Sequence, residues 1–301
     1  VARGELIFWR SHAWDHPDQK ALIQILSTAC SRMSWSFLAL DRMPIPHVKV
    51  FRCAQNMVLW NGTTPDARYI LNLRRRLGLA TLTVEQGWMP QRDHFGFDHN
   101  GIAGDSSLCV DSLDWVGEPE YRALDELRDE YWPEDWNPPR RRRHQQNGKI
   151  LVLGQLMRDS QIVASSDHQT VEDVLLDAEA QFGVDQISFR PHPFDKERDD
   201  WRRLCEARGV EFNDPDDSTL IEQIMTCRGT FAINSTGLYE TAMMGLPAQA
   251  IGDCPLASHS GSEDEVERLL AAMASRQFRK DCEDVIPVLE RMNEFEISGG
   301  G

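Results

Sequence analysis

Long apolar runs are missing from this chain. No uninterrupted stretch approaches the roughly 20 residues that span a bilayer, and Leu6-Ile7-Phe8-Trp9 is too short for the core of a signal peptide. Paired cysteines are missing too. The seven cysteines, at 30, 53, 109, 205, 227, 254 and 282, are odd in number and contain no Cys-x-x-Cys. That excludes an obvious disulfide framework or a short-spaced zinc site, and reads as free thiols buried in a reducing compartment. Positive charge is scarce: 32 Lys and Arg stand against 48 Asp and Glu, a net charge of −16. Such a surface does not displace counterions from nucleic acid, so sequence-independent nucleic-acid binding is excluded. Passive docking on anionic lipid is disfavoured on the same ground, a local basic patch aside.

What is present is an ordinary globular composition, 41% hydrophobic and 8% aromatic over 301 residues, enough for about two domains. Short apolar runs alternate with amphipathic stretches. The N-terminal half reads as strands at 6–9, 47–53 and 81–85, with helices at 19–33, 65–77 and 118–131. Residues 86–111 are rich in Gly, His, Asp and Asn and lack periodicity, and a long irregular stretch of that kind is usually functional or disordered. Residues 132–148 carry three prolines and the run Arg140–Arg143, the marks of a linker. Beyond it, strands at 150–153, 186–189, 210–212, 230–233 and 248–252 alternate with helices at 170–182, 196–208, 220–227, 235–244 and 262–278. A last helix, 284–295, is interrupted by Pro287. This β-α-β order predicts parallel sheets with helices on both faces, in two Rossmann-like domains with a cleft between them.

Ligands of open α/β sheets sit beyond the carboxyl ends of the strands, and four clusters follow strands directly. Glu85 ends a strand and leads into Gln86-Gly87-Trp88. Gly154 ends another, followed by Gln155 and by Asp159, which is equally readable as a helix cap. Arg190-Pro191-His192-Pro193 places a cation and an imidazole on one side of an extended segment, as an anion-binding pair. Asn234-Ser235-Thr236-Gly237 opens a helix where free N–H groups and hydroxyls cradle a phosphate or merely cap the helix, and Glu240 one turn later suits a ribose. Asp214-Pro-Asp216 has metal-binding spacing but reads better as a loop and cap.

Taken together, the clusters resemble the bacterial capsule polysaccharide biosynthesis family of retaining β-Kdo transferases. The resemblance covers about residues 80–255. It rests on Val84-Glu85-Gln86-Gly87-Trp88, Asp98-His99-Asn100-Gly101-Ile102, Gln155-Leu-Met-Arg-Asp159, Arg190-Pro191-His192-Pro193, and Ser235-Thr236-Gly237-Leu238-Tyr239-Glu240 with Gly245-Leu246-Pro247. It implies a GT-B architecture. An acceptor-binding domain would span 1–131 and a linker 132–148. A CMP-sugar domain would span 149–282, and a helix at 283–298 would return to the first domain.

The resemblance further implies transfer of β-Kdo from CMP-Kdo to a glycan acceptor by double displacement, in capsule or lipopolysaccharide O-antigen synthesis. Asp159 would be the nucleophile, Glu85 the acid/base at the acceptor hydroxyl, and His192 a group beside the donor. Donor contacts would come from Gln155, Arg190, His192, Asn234, Ser235, Thr236, Gly237 and Glu240. No metal or other cofactor is expected, because a single phosphate leaves and the protein's own donors can stabilise it. The expected setting is the cytoplasm, with peripheral contact to the inner membrane through Arg140–Arg143 and association with other polysaccharide-synthesis domains. Two further readings remain: a nucleotide-sugar 2-epimerase of the same fold, and a non-catalytic glycan-binding subunit of an export complex.

Overall fold

Strands form here where a few apolar residues are bounded by glycine or a polar turn, and the helices between them are fixed by their caps. A computed structural model describes residues 5–10, 17–41, 55–131, 148–281 and 285–291. The helix Pro65–Arg76 shows the local logic. Thr64 accepts a hydrogen bond from Ala67 N, proline occupies the first turn, and the chain leaves through Gly78 at φ +63°. The helix Val171–Phe182 begins with a reciprocal capping box between Thr170 and Asp173.

The chain divides into two units. One holds residues 1–107 together with 276–301, and the other holds 108–275. In the first unit, β1 (Glu5–Arg10), β2 (Ser36–Asp41), β3 (Asn56–Trp60), β4 (Ala80–Gln86), β5 (His94–Asp98) and β11 (Gln277–Arg279) form one sheet ordered β11-β5-β4-β3-β1-β2. Four strands are parallel, whereas β5 runs antiparallel to β4 and β11 antiparallel to β5. The core on one face joins Leu6, Phe8, Leu22, Leu26, Val58, Leu82, Phe95 and Phe97, with Val285 just before the helix Ile286–Arg291 and Leu289 within it. Pro287 falls in the first turn of that helix, where its missing N–H costs nothing. It therefore starts the helix and does not interrupt it.

In the second unit, β6 (Ile150–Leu153), β7 (Ile187–Arg190), β8 (Glu211–Phe212), β9 (Gly229–Ala232) and β10 (Ala248–Ala250) make a wholly parallel sheet ordered β10-β9-β6-β7-β8. The chain steps outward from β6 through β7 to β8, then restarts at β9 on the other side. That reversal is the topological switch point of a doubly wound sheet. Its core is formed by Val152, Ile187, Phe189, Phe231 and Ile233 against Val174, Leu175 and Ala178.

Several expectations change. Residues 86–111 contain a fully buried strand, β5, whose Phe95 and Phe97 face the core. The helix expected over 262–278 ends at Ser275 and gives way to β11. The helix Glu118–Tyr131 packs on Glu263–Ser275, and Arg128 forms a two-point ion pair with Glu267. It thus belongs with the second unit and not with residues 1–107. Strands β2 and β3 were not anticipated, and the strand expected at 47–53 lies outside the described residues, as does the 132–147 part of the linker. Among the described residues no helix is long and apolar enough to cross a membrane.

Candidate active site

The switch point of the second sheet falls between the carboxyl ends of β6 and β9, and a pair of amides bridges it. Gln155 Nε2 donates to Asn234 Oδ1 at 2.9 Å, and Asn234 N donates back to Gln155 Oε1 at 3.2 Å. Asn234 Nδ2 donates to Ser165 Oγ at 2.7 Å. These groups are committed to one another, so Gln155 and Asn234 form the floor of the site. The sequence places them 79 positions apart and offers no sign that they meet.

Two glycines let the walls close on this floor. A Cβ on Gly154 would lie 2.8 Å from Phe189 Cζ and 3.0 Å from Pro191 Cα, and one on Gly237 would lie 2.8 Å from Leu153 Cδ1. Gly154 N also donates to Arg190 O at 2.8 Å, which ties the loop after β6 to the end of β7.

Asp159 caps the short helix Ser160–Ser165, accepting from Gln161 N at 2.9 Å. It is exposed, and its charge reaches His192. The two residues follow neighbouring parallel strands, Asp159 after β6 and His192 after β7. His192 Nδ1 accepts from Phe194 N at 3.1 Å. A backbone N–H can only donate, so in the neutral ring the proton sits on Nε2, available to a ligand oxygen. Burial pushes the His192 pKa below its ordinary value, and the opposing pull of Asp195 and Asp159 is smaller.

Arg190, expected to bind an anion beside His192, is held inside the fold. It is buried, and Nη2 donates to Ser218 O at 3.0 Å. Nη1 is buried without a hydrogen-bond partner. Burial lowers its pKa, with Asp214 and Asp216 pulling the other way. Asp214 pairs with Arg202 and accepts from Asp216 N at 3.0 Å, and Arg198 reaches Asp216 at 3.0 Å. Asp214-Pro-Asp216 is thus an ion-paired turn, and the cap expected there does not form. Among the described residues no cluster of His, Cys, Asp and Glu could hold a metal ion.

Ser235 caps the helix Thr236–Met243 by accepting from Gly237 N at 3.3 Å. Thr236 opens that helix, and Glu240, half-buried, stands one turn further along.

Glu85 belongs to the first unit, at the end of β4 opposite Gly96. It is half-buried, and Oε1 accepts from Gln86 N at 3.1 Å. The turn that follows is built closely. A Cβ on Gly87 would strike His94 Cβ at 2.4 Å, and Gly87 N donates to His94 O at 2.7 Å. Gln277 Oε1 accepts from Trp88 N and Met89 N, both at 3.2 Å, while its Nε2 donates to Met89 O at 2.7 Å. Next door, buried Asp98 gathers Asn100 N, Gly101 N, Ser106 Oγ, both donors of Ser107, and Arg276. Sequence reasoning missed Gln277 and Arg276, since both arrive from the far end of the chain.

A cavity of about 1030 Å³ opens at the other end of the second sheet. It is lined by Ile150, Thr230 and Ala248 near the strand starts and by Glu263 and Asp264. Convergent polar side chains at the carboxyl ends are a better guide to chemistry than volume alone, so we place the site there.

No protein-family profile matches the chain, and no curated protein matches it in sequence. Solved structures do match. The KpsC β-Kdo 2,7 transferase of Thermosulfurimonas dismutans aligns over 97% of this chain and 99% of its own, with a TM-score of 0.59 and 14% identity. The KpsC β-Kdo 2,4 transferase of the same organism aligns over 97% and 98%, with a TM-score of 0.58 and 14% identity. The chain shares the KpsC fold. The likeness runs through both units and spans nearly the whole of each KpsC chain, so it is not that of one shared Rossmann-like module.

Proposed function

We propose that this chain is a retaining glycosyltransferase of GT-B type that moves β-Kdo from CMP-Kdo to a glycan acceptor in surface-polysaccharide synthesis. The observation that most supports the reading is that Asp159 and His192 follow the carboxyl ends of two neighbouring parallel strands, β6 and β7, in a chain that shares the KpsC fold over 97% of its length. The second unit would take the donor and the first the acceptor.

The chemistry follows from the groups present. Asp159 attacks the anomeric carbon, the bond to the phosphate oxygen breaks, and CMP leaves with the electron pair. His192 Nε2–H and the N–H groups opening the helix Thr236–Met243 stabilise the phosphate. The unmatched Arg190 Nη1 is a donor that an anionic oxygen would satisfy. Glu85 then accepts the proton of the acceptor hydroxyl, whose oxygen displaces Asp159 from the same carbon. Two inversions retain the configuration. No step requires a metal. Gln155 and Asn234 contribute by holding the loops around the donor, and Glu240 by meeting the ribose. Peripheral membrane contact would run through Arg140–Arg143; if so, replacing all four arginines abolishes liposome association at low salt.

The test is intact-protein mass after mixing with freshly generated CMP-Kdo in the absence of acceptor, beside an Asp159→Asn control. A Kdo-sized gain in the wild type alone supports donor, intermediate and nucleophile together. No gain and no CMP binding would overturn the reading.

A further inference from the structure

Phe194 is 78% exposed, more than any other large apolar side chain among the described residues. It occupies the second corner of a tight turn, closed by Asp195 N donating to His192 O at 2.9 Å, with Pro193 at the first corner. That corner ordinarily takes Asp, Asn, Ser or Gly, whose small polar side chains suit both the backbone and the solvent. A phenyl ring there leaves most of its apolar surface in water.

The turn that carries it is braced on every side. Phe194 N donates to His192 Nδ1 at 3.1 Å, so backbone and imidazole fix each other. Asp195 accepts from Glu197 N and Trp201 Nε1, both at 2.9 Å, and Arg198 donates to Pro193 O. Pro191 and Pro193 restrict the chain on either side of His192. The phenyl ring ends 5.6 Å from the imidazole, tilted by 49°. A rigidly mounted aromatic with two rotatable bonds loses little entropy when a flat ligand covers it.

We infer that Phe194 is the platform on which the base of the donor's nucleotide stacks. This rests on the donor reading above, in which the leaving phosphate sits at His192 Nε2–H. Within one ribose of that phosphate the ligand has a single flat aromatic group, the base. The phenyl ring carries no polar atom and therefore selects a π-face, not a hydroxyl edge. Stacking is tolerant of base identity, so Phe194 supplies affinity while other groups choose the base.

The experiment is calorimetric titration of the wild-type chain, Phe194→Ala and Phe194→Tyr with two probes, CMP and ribose 5-phosphate. Phe194 packs against little, so both variants are expected to fold, and circular dichroism checks this. The expected result is that Phe194→Ala weakens CMP about tenfold or more, leaves ribose 5-phosphate unchanged, and is rescued by Phe194→Tyr. Wild-type CMP binding that survives Phe194→Ala intact overturns the platform and leaves the donor reading standing. Equal weakening of both probes also overturns it, because the ring then covers the sugar or shapes His192. A wild type that binds neither probe overturns the donor reading and the platform together.

Discussion

Gly154→Ala is the most informative single perturbation of the candidate site, because its effect is set by two groups that cannot move aside. The added methyl would sit 2.8 Å from Phe189 Cζ and 3.0 Å from Pro191 Cα, where ordinary contact begins near 3.4 Å. Phe189 is fully buried and Pro191 presents backbone, so neither is the free end of a flexible side chain. The end of β7 must therefore shift by about half an ångström, at a cost of roughly 1–3 kcal/mol for overpacking. Pro191 directly precedes His192, so the imidazole moves with it. A misplacement approaching an ångström is enough to lower turnover about 100-fold. Chemical denaturation measures the first effect, and CMP titration with transfer assays the second. Gly183→Ala is the control: it sits at φ +86° with nothing within 4 Å, so it strains the backbone locally without touching the site. A Gly154→Ala variant with wild-type stability, CMP affinity and turnover would refute the claim that close approach at Gly154 sets the His192 loop.

Three further outcomes follow from the same geometry. Asp159→Ala should lower transfer roughly 10⁴-fold or more while CMP binding persists, and should cost about 1 kcal/mol through the lost cap, measured by turnover and denaturation. A double-mutant cycle of Gln155→Ala and Asn234→Ala should show coupling of about 1 kcal/mol for their shared side-chain bond; additive losses would mean the bridge is not formed. His192 should titrate below its ordinary value of about 6.5 by NMR. Because the folded value is depressed, its contribution to stability is complete above the unfolded value and is lost as pH falls through the folded one. Bound phosphate favours the charged ring, so CMP affinity should rise over that same fall in pH.

The second sheet was readable in the sequence because each parallel strand is a short apolar run stopped by a glycine or a polar turn, as at Leu153-Gly154 and Ile233-Asn234. Strand β5 was not, since His94-Phe-Gly-Phe-Asp98 carries its two phenylalanines in a stretch otherwise coloured by Gly, His, Asp and Asn. Its partner β11 comes from about 180 residues later, and no local pattern announces such a pairing. The site divides in the same way. Asp159, His192 and Ser235 stand in the segments that follow strands, where the fold class tells one to look. The Gln155–Asn234 bridge, the Gln277 hold on Trp88 and the burial of Arg190 arise from contacts between distant segments. Glu118–Tyr131 illustrates a further limit: its amphipathic spacing predicts a helix but not which core receives it.

The interruption of the first unit by residues 108–275 has a consequence for biosynthesis. During translation β5 emerges about 180 residues ahead of the strand that covers its outer edge. At a ribosomal speed of about 5–20 residues per second, that edge waits roughly 10–35 seconds unpaired. Val285 and Leu289 reach the first core later still. The second unit, whose residues are contiguous, can complete its parallel sheet while the first is unfinished. The nascent chain is therefore most exposed to chaperones and to edge-to-edge association through β5, and of the two units the one begun earlier is the later to close.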